Sequence, residues 1–278
     1  MNMGAMSLKA QIRNHAKKKN IKAQVLLQNY MFERFLERLS LSDYKDKFVI
    51  KGGMLISAIV GIETRSTMDL DATLRGLVFS EESIRKTVSE ICSLSIDDYV
   101  VLTVGAVAPI RPDDVYGGYR IKITAVYDTV EVPFTVDIST GDVITPHPVK
   151  YALQCIFDEE KHIELWAYNI ETVMSEKIET ILRRTTLNTR PRDFYDVFIL
   201  STTQSYDESL LREAFTATAL HRGTTEQISD ITSVLKTIEE SIDLRGMWEK
   251  YRREYTYAVD ITYEQVFQSL KAVCLTLV

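Results

Sequence analysis

Thr64-Arg65-Ser66-Thr67-Met68-Asp69-Leu70-Asp71 lies a short way downstream of Lys51-Gly52-Gly53. Side chains alternate faces along a strand, so Asp69 and Asp71 project one way and Leu70 the other, toward a core. Two adjacent carboxylates repel, and burying them raises one pKa. A divalent cation removes that penalty, and oxygen ligands suit Mg²⁺ or Mn²⁺. The glycines upstream lack a Cβ, so their backbone N–H groups can approach a phosphate closely. Together these parts suit metal-assisted phosphoryl or nucleotidyl transfer.

Around this stretch the apolar pattern predicts an α+β chain. A helical pattern covers Ser7 to about Leu41, with Val25, Leu26, Tyr30, Phe32, Phe35 and Leu36 at helical spacing. Phe48-Val49-Ile50 reads as a strand entering a tight turn at Gly52-Gly53, then a short helix over Met54 to Val60. Met68 to Leu74 reads as the strand that carries the aspartates. Ser80, followed by Glu81 and Glu82, reads as the N-cap of a helix through Ile91. Val100–Val107, Tyr119–Tyr127 and Val130–Ile138 are rich in Val, Ile, Thr and Tyr and predict strands, with a hairpin turn at Tyr127-Asp128-Thr129. Pro133 inside the third of these predicts an edge position or a bulge. Val149–Phe157 and His162–Trp166 predict a further strand pair. From Asn169 the pattern is helical, with one helix through Leu182 and another from Pro191. The expected domains are residues 1–168, mixed α and β with amino-terminal helices, and 169–278, helical.

The 278 residues, 45% hydrophobic and 26% charged, fit a soluble globular protein. No apolar run is long enough to span a bilayer, and Met1 to Met6 lacks the apolar core and cleavage site of a signal peptide. Cys92, Cys155 and Cys274 are isolated, without disulfide or zinc spacing, which together with these absences predicts a reducing cytoplasm. A net charge of −6 argues against indiscriminate nucleic-acid binding and leaves room for local basic patches. Candidates are Lys17-Lys18-Lys19 with Lys22, Arg183-Arg184 with Arg190 and Arg192, and Lys250 with Arg252-Arg253.

Further chemistry-bearing residues lie beyond the Asp-x-Asp. Asp137 in Phe134-Thr135-Val136-Asp137-Ile138 alternates onto one face with Thr135; if its strand neighbours that of Asp69, three carboxylates converge on one metal. Glu176-Lys177 sits mid-helix, where a lysine either reaches a phosphate as a point charge or snorkels to solvent. Asp193 and Asp196, three apart in Arg190-Pro191-Arg192-Asp193-Phe194-Tyr195-Asp196, share a helical face. Asp193 falls in a first turn, where the helix dipole alone would favour it, and Arg192 can pair with either aspartate. The four histidines have no partner at ligand spacing, and there is no Gly-x-Ser-x-Gly, Walker A or Cys-x-x-Cys sequence.

The order of parts carries a resemblance. Lys51-Gly52-Gly53, then Arg65-Ser66-Thr67-x-Asp69-Leu70-Asp71, then Glu176-Lys177, then Arg192-Asp193-Phe194-Tyr195-Asp196 resembles the AbiEii family, nucleotidyltransferase-like toxins of abortive-infection, type IV toxin–antitoxin systems. The resemblance covers roughly residues 25 to 200. It implies a polymerase-beta-like nucleotidyltransferase fold with a mixed sheet, followed by a helical lobe. It implies Asp69 and Asp71 as catalytic metal-binding carboxylates, and Lys51, Gly52, Gly53, Arg65, Ser66 and Thr67 as the nucleotide-binding segment. Many nucleotidyltransferases have Gly-Ser where this chain has Gly52-Gly53, so a hydroxyl contact is missing. Lys177 matches the lysine of the family's helix motif, and Asp193 and Asp196 its closing Asp-x-x-Asp. Asp137 resembles the third metal carboxylate of the wider superfamily. The expected activity is metal-dependent transfer of a nucleoside monophosphate from an NTP to RNA, at the acceptor end of tRNA, arresting growth. Mg²⁺ or Mn²⁺ is the implied cofactor, and a cognate antitoxin the implied partner, at the genetic level in a type IV system. The alternatives are a nucleotidyltransferase that modifies a protein, and a non-catalytic GTP- or NTP-binding regulatory module.

Overall fold

The structure, a computed structural model, describes residues 5–110 and 117–277. The first four residues and Val278, at the outer ends of the two expected domains, lie outside the described residues. The chain divides into two compact units: residues up to Asp142 with Val149–Ala167, and Val143–Pro148 with the chain from Tyr168 onward.

The first unit opens with α1 (Ala5–Lys18) and α2 (Ala23–Leu41). The single helical pattern over Ser7–Leu41 is therefore two helices. The chain turns at Asn20, whose φ of 52° is left-handed, a conformation that asparagine tolerates better than most residues. β1 (Phe48–Lys51) runs straight into α3 (Gly52–Val60); β2 (Leu70–Leu74) and α4 (Glu81–Ser93) follow. Ser80 caps α4 as its sequence predicts, its Oγ accepting from the Ser83 N–H. Then come β3 (Val100–Ile110), β4 (Gly118–Tyr127), β5 (Val130–Thr140), β6 (Val149–Gln154) and β7 (His162–Ala167).

Among the described residues these form one seven-stranded mixed sheet in the order β3-β4-β5-β2-β1-β7-β6. β2 is antiparallel to β1 and parallel to β5. The alternation of β5 sorts the two faces. Val130, Val132, Phe134, Val136 and Ile138 are buried, and Phe32 of α2 meets Phe134 edge-on at 5.3 Å. Thr135, Asp137 and Ser139 therefore lie on the opposite face. A buried ion pair fastens α2: the Arg38 guanidinium donates to both Asp98 oxygens, at 2.6 and 2.9 Å, and to the Leu94 and Val100 carbonyls.

Pro133 sits neither at a bulge nor on an outer strand, since β5 has β4 and β2 on either side. The physical reason is local. β4 pairs with β5 along its whole length, but β2 pairs with it only from Val136, so Pro133 lies where its missing N–H breaks no ladder with β2.

The second unit is helical: α5 (Ile170–Arg184), α6 (Pro191–Thr203), α7 (Glu208–His221), α8 (Ile231–Glu239), α9 (Ile242–Glu254) and α10 (Tyr263–Leu275). Asn169 caps α5, accepting from the Thr172 N–H at 2.8 Å, and its amide donates to the Thr145 carbonyl. That second bond ties the Val143–Pro148 segment to this unit. Pro191 occupies the first turn of α6, where its missing N–H costs nothing. Among the described residues no helix is long and apolar enough to cross a membrane.

Candidate active site

In the first unit the sequence-predicted residues gather at the junction of β1, α3 and β2. Asp69 is exposed, one residue ahead of β2; Leu70 is buried; Asp71 is half-buried on the strand. Gly52 takes a φ of +66°, and a Cβ built on it would lie 2.3 Å from Asp71 Oδ2. A Cβ on Gly53 would lie 2.8 Å from Thr67 Oγ1 and 3.3 Å from an Arg65 guanidinium nitrogen. The two glycines thus let three functional groups close in on the β1–α3 backbone.

The Arg65–Asp69 loop is held from both sides. Arg65 is buried and donates to the Ser66 carbonyl at 2.6 Å; Ser66 is half-buried beside it. The Thr67 hydroxyl accepts from the Asp69 N–H at 3.2 Å. Two side chains of α2 reach across: Asn29 donates to the Thr67 carbonyl and Gln28 to the Met68 carbonyl, both at 2.8 Å. Asp69 is placed by these bonds rather than by the strand.

Sheet register sets a row of charges on one face. Lys51 lies opposite Asp71, Asp71 opposite Asp137, and Asp137 opposite Arg120. The strands of the aspartates do adjoin. Even so, among the described residues no three His, Cys, Asp or Glu side chains are grouped to hold a metal ion. Both Asp137 oxygens accept from Arg120, at 2.8 and 2.6 Å. The oxygens of Asp69 and Asp71 match in kind what Mg²⁺ uses, since it binds through one or two carboxylates plus substrate phosphates and water. The residues present therefore fit a metal that arrives with its nucleotide.

Lys51 is engaged two residues further along this face. Its ammonium donates to Asp142 Oδ2 and Ser139 Oγ, both at 2.7 Å. Thr73 and Ser139 each donate to the same Asp142 oxygen at 2.6 Å. Burial alone would push the Asp142 carboxyl up. The Lys51 charge and the bonds from Lys51, Ser139 and Thr73 outweigh that and hold it at about 2. Neither Asp142 nor Arg120 stands out in the sequence. Arg120-Ile121-Lys122-Ile123 alternates as a strand should, but only register brings Arg120 to Asp137.

The second unit gathers the remaining predicted residues. Lys177 on α5 meets Asp193 at 2.7 Å and Asp196 at 3.0 Å, both on α6 and both fully buried. Burial would lower the Lys177 pKa, but Asp196 and Asp193 raise it on balance. Its head is therefore held between carboxylates, not snorkelling to solvent. Arg190 approaches Asp193 Oδ2 at 3.1 Å, and Arg192 donates to the Tyr255 hydroxyl. Each expected basic patch is partly spent on acids: Lys19 on Glu63, Arg183 on Glu179, Arg190 on Asp193 and Arg252 on Glu249.

Two outcomes follow from the sheet-face geometry. Gly52→Ala costs about 1–2 kcal/mol from its left-handed backbone and also drives Asp71 off its seat. Gly61→Ala, at a φ of +91° against the flexible Glu63, is the control for backbone strain alone. Urea unfolding should therefore show both variants destabilised, while nucleotidyl transfer falls much further in Gly52→Ala. The depressed Asp142 carboxyl stabilises the fold fully above its unfolded value near 3.8, and this contribution is lost as pH falls toward 2. That shift corresponds to roughly 2 kcal/mol. Asp142→Asn should lower stability at pH 7 and flatten the decline between pH 4 and 2 in urea titrations.

Comparison with known proteins gives these residues a family. In sequence no curated protein matches the chain. In structure it is similar to a candidate nucleotidyltransferase from H. pylori, at 14% identity and a TM-score of 0.50, over 92% of this chain and 97% of that one. It is also similar to JHP933 from Helicobacter pylori, at 14% identity and a TM-score of 0.48, over 92% and 94% of the two chains. The first likeness shows a shared nucleotidyltransferase-like fold. The family profile described as nucleotidyl transferase AbiEii toxin, type IV TA system, matches residues 34–269. The chain belongs to the AbiEii family of nucleotidyl transferase toxins of type IV toxin–antitoxin systems.

Proposed function

We propose that this chain transfers a nucleoside monophosphate from an NTP to the acceptor end of tRNA, arresting growth of its host from within the cytoplasm. The observation that carries the reading is the Asp69–Leu70–Asp71 seat against the Gly52-Gly53 turn, in a member of a nucleotidyl transferase family. Mg²⁺ or Mn²⁺ held by Asp69 and Asp71 would neutralise the triphosphate and its leaving pyrophosphate. The chain's own residues do the rest. Gly52 and Gly53 admit the phosphates close to backbone N–H groups. Thr67 holds the Asp69 backbone N–H, and Arg65 packs against the Gly53 turn. The acceptor is RNA recognised by shape and local contacts, in keeping with the net charge of −6. The cognate antitoxin acts at the genetic level, and no contact surface for it is invoked.

Lys177 has three ammonium donors, of which Asp193 and Asp196 take two. We assign Lys177 a role in the reaction through its charge, with the two aspartates as its positioning residues.

The deciding experiment incubates the protein with total RNA and each labelled NTP in turn. Label on RNA of tRNA size, lost in a folded Asp71→Asn protein, is the expected result. Label on protein instead would make the chain a protein-modifying enzyme. Full toxicity in Asp71→Asn would leave only a nucleotide-binding module. For the second cluster, Lys177→Met leaves two buried carboxylates facing each other and should cost about 3–5 kcal/mol. Adding Asp193→Asn and Asp196→Asn should restore much of the stability. If transfer returns with it, Lys177 is scaffold; the proposed role in the reaction requires that transfer stay lost.

A further inference from the structure

Arg120 takes no part in the transfer outlined above, yet it shares a cross-strand row with the proposed metal ligands. Side chains at paired positions on neighbouring strands share a face, and across an antiparallel pair their Cβ atoms lie about 5 Å apart. Read across β4, β5, β2 and β1, the row is Arg120, Asp137, Asp71, Lys51: cation, anion, anion, cation. Like charges directly opposite destabilise a sheet, so Asp71 and Asp137 need compensation. Lys51 gives its ammonium to Asp142 and Ser139. Arg120 forks both oxygens of Asp137, and its pKa is raised by that fork first and by Asp69 and Asp71 in addition.

The fork is built to open. The Arg120 side chain is 53% exposed, so water can satisfy its donors when the fork opens. Guanidinium and a divalent cation also compete for the same atoms, the two carboxylate oxygens of Asp137. This accounts for a register that aligns Asp137 with Asp71 while no three-carboxylate group is formed.

We propose that Arg120 is an internal counter-ion that occupies Asp137 in the resting protein and competes with divalent metal for it. Displaced, Arg120 leaves Asp137 as a third oxygen ligand and carries its guanidinium to the incoming triphosphate. The inference rests on Asp69 and Asp71 being metal ligands.

The test is Mn²⁺ binding to NTP-free protein at low ionic strength, read from the electron paramagnetic resonance signal of free Mn²⁺. Arg120→Ala should bind Mn²⁺ on the order of tenfold more tightly than the parent, because a positive charge a few ångströms from the ion is removed. Arg120→Gln, which keeps most of the side-chain stem, should show the same gain, and Arg120→Lys a smaller one. Adding Asp137→Asn to Arg120→Ala should abolish the gain. Unchanged or weaker Mn²⁺ binding in folded Arg120→Ala and Arg120→Gln overturns the proposal. If Asp71→Asn weakens Mn²⁺ binding in that same case, the metal reading survives and only the role of Arg120 falls. If Asp71→Asn binds as well as the parent, the metal reading and this inference fall together; if no variant binds Mn²⁺ without nucleotide, this inference falls alone.

Discussion

Asp71 can sit where it does only because Gly52 has no side chain. Any other residue there would carry a Cβ 2.3 Å from the carboxylate, in a backbone conformation that L-residues avoid. This close approach joins strand to strand and strand to helix. It fixes how β1 leaves the sheet and enters α3, and it seats the carboxylate against that turn. Gly53 repeats the device one residue on, with Thr67 and Arg65 as the groups that close in. Since Thr67 in turn receives the Asp69 N–H, and Asn29 and Gln28 hold the loop to α2, a chain of short contacts runs from α2 to the Asp-x-Asp.

Both units hold carboxylates that are half or fully buried by the same means. A lysine ammonium sits among several acceptors: Lys51 with Asp142 and Ser139, Lys177 with Asp193 and Asp196. Such a pair gains little net energy over an apolar replacement, because taking the charges out of water costs about what their attraction returns. Removing one partner is another matter, since the other is then left buried and uncompensated. These clusters therefore act mainly to specify geometry. Arg222 does the same for α5, reaching both Glu176 and Glu179 at 3.0 and 2.5 Å.

Much of the fold was legible because local physics decides it. The strands β3, β4 and β5 announce themselves by β-branched and aromatic alternation, and Ser80 and Asn169 cap the helices that their positions predict. The break at Asn20 was not legible, because the apolar spacing continues through it and only backbone geometry marks the turn. Pro133 shows a second limit: a proline reports a missing hydrogen bond, but whether the neighbour is absent along the whole strand or along part of it depends on tertiary register. Within the site, the residue types of Asp69, Asp71, Gly52 and Gly53 carry their chemistry on their face. Asp142 and Arg120 do not, because each acts through a partner on another strand or beyond its end, with nothing in local spacing to name it.

The position of Pro133 also bears on what this part of β5 can pair with. From Val130 to Thr135 the side of β5 turned away from β4 has no ladder partner among the described strands. Such a stretch is a template on which the strand of another chain can add. Proline withdraws a donor from the middle of that template, and its ring obstructs the approach. A residue that reads as an anomaly inside a strand thus stands in the stretch of β5 that β2 does not reach, and makes that stretch a poorer one for a further strand to join.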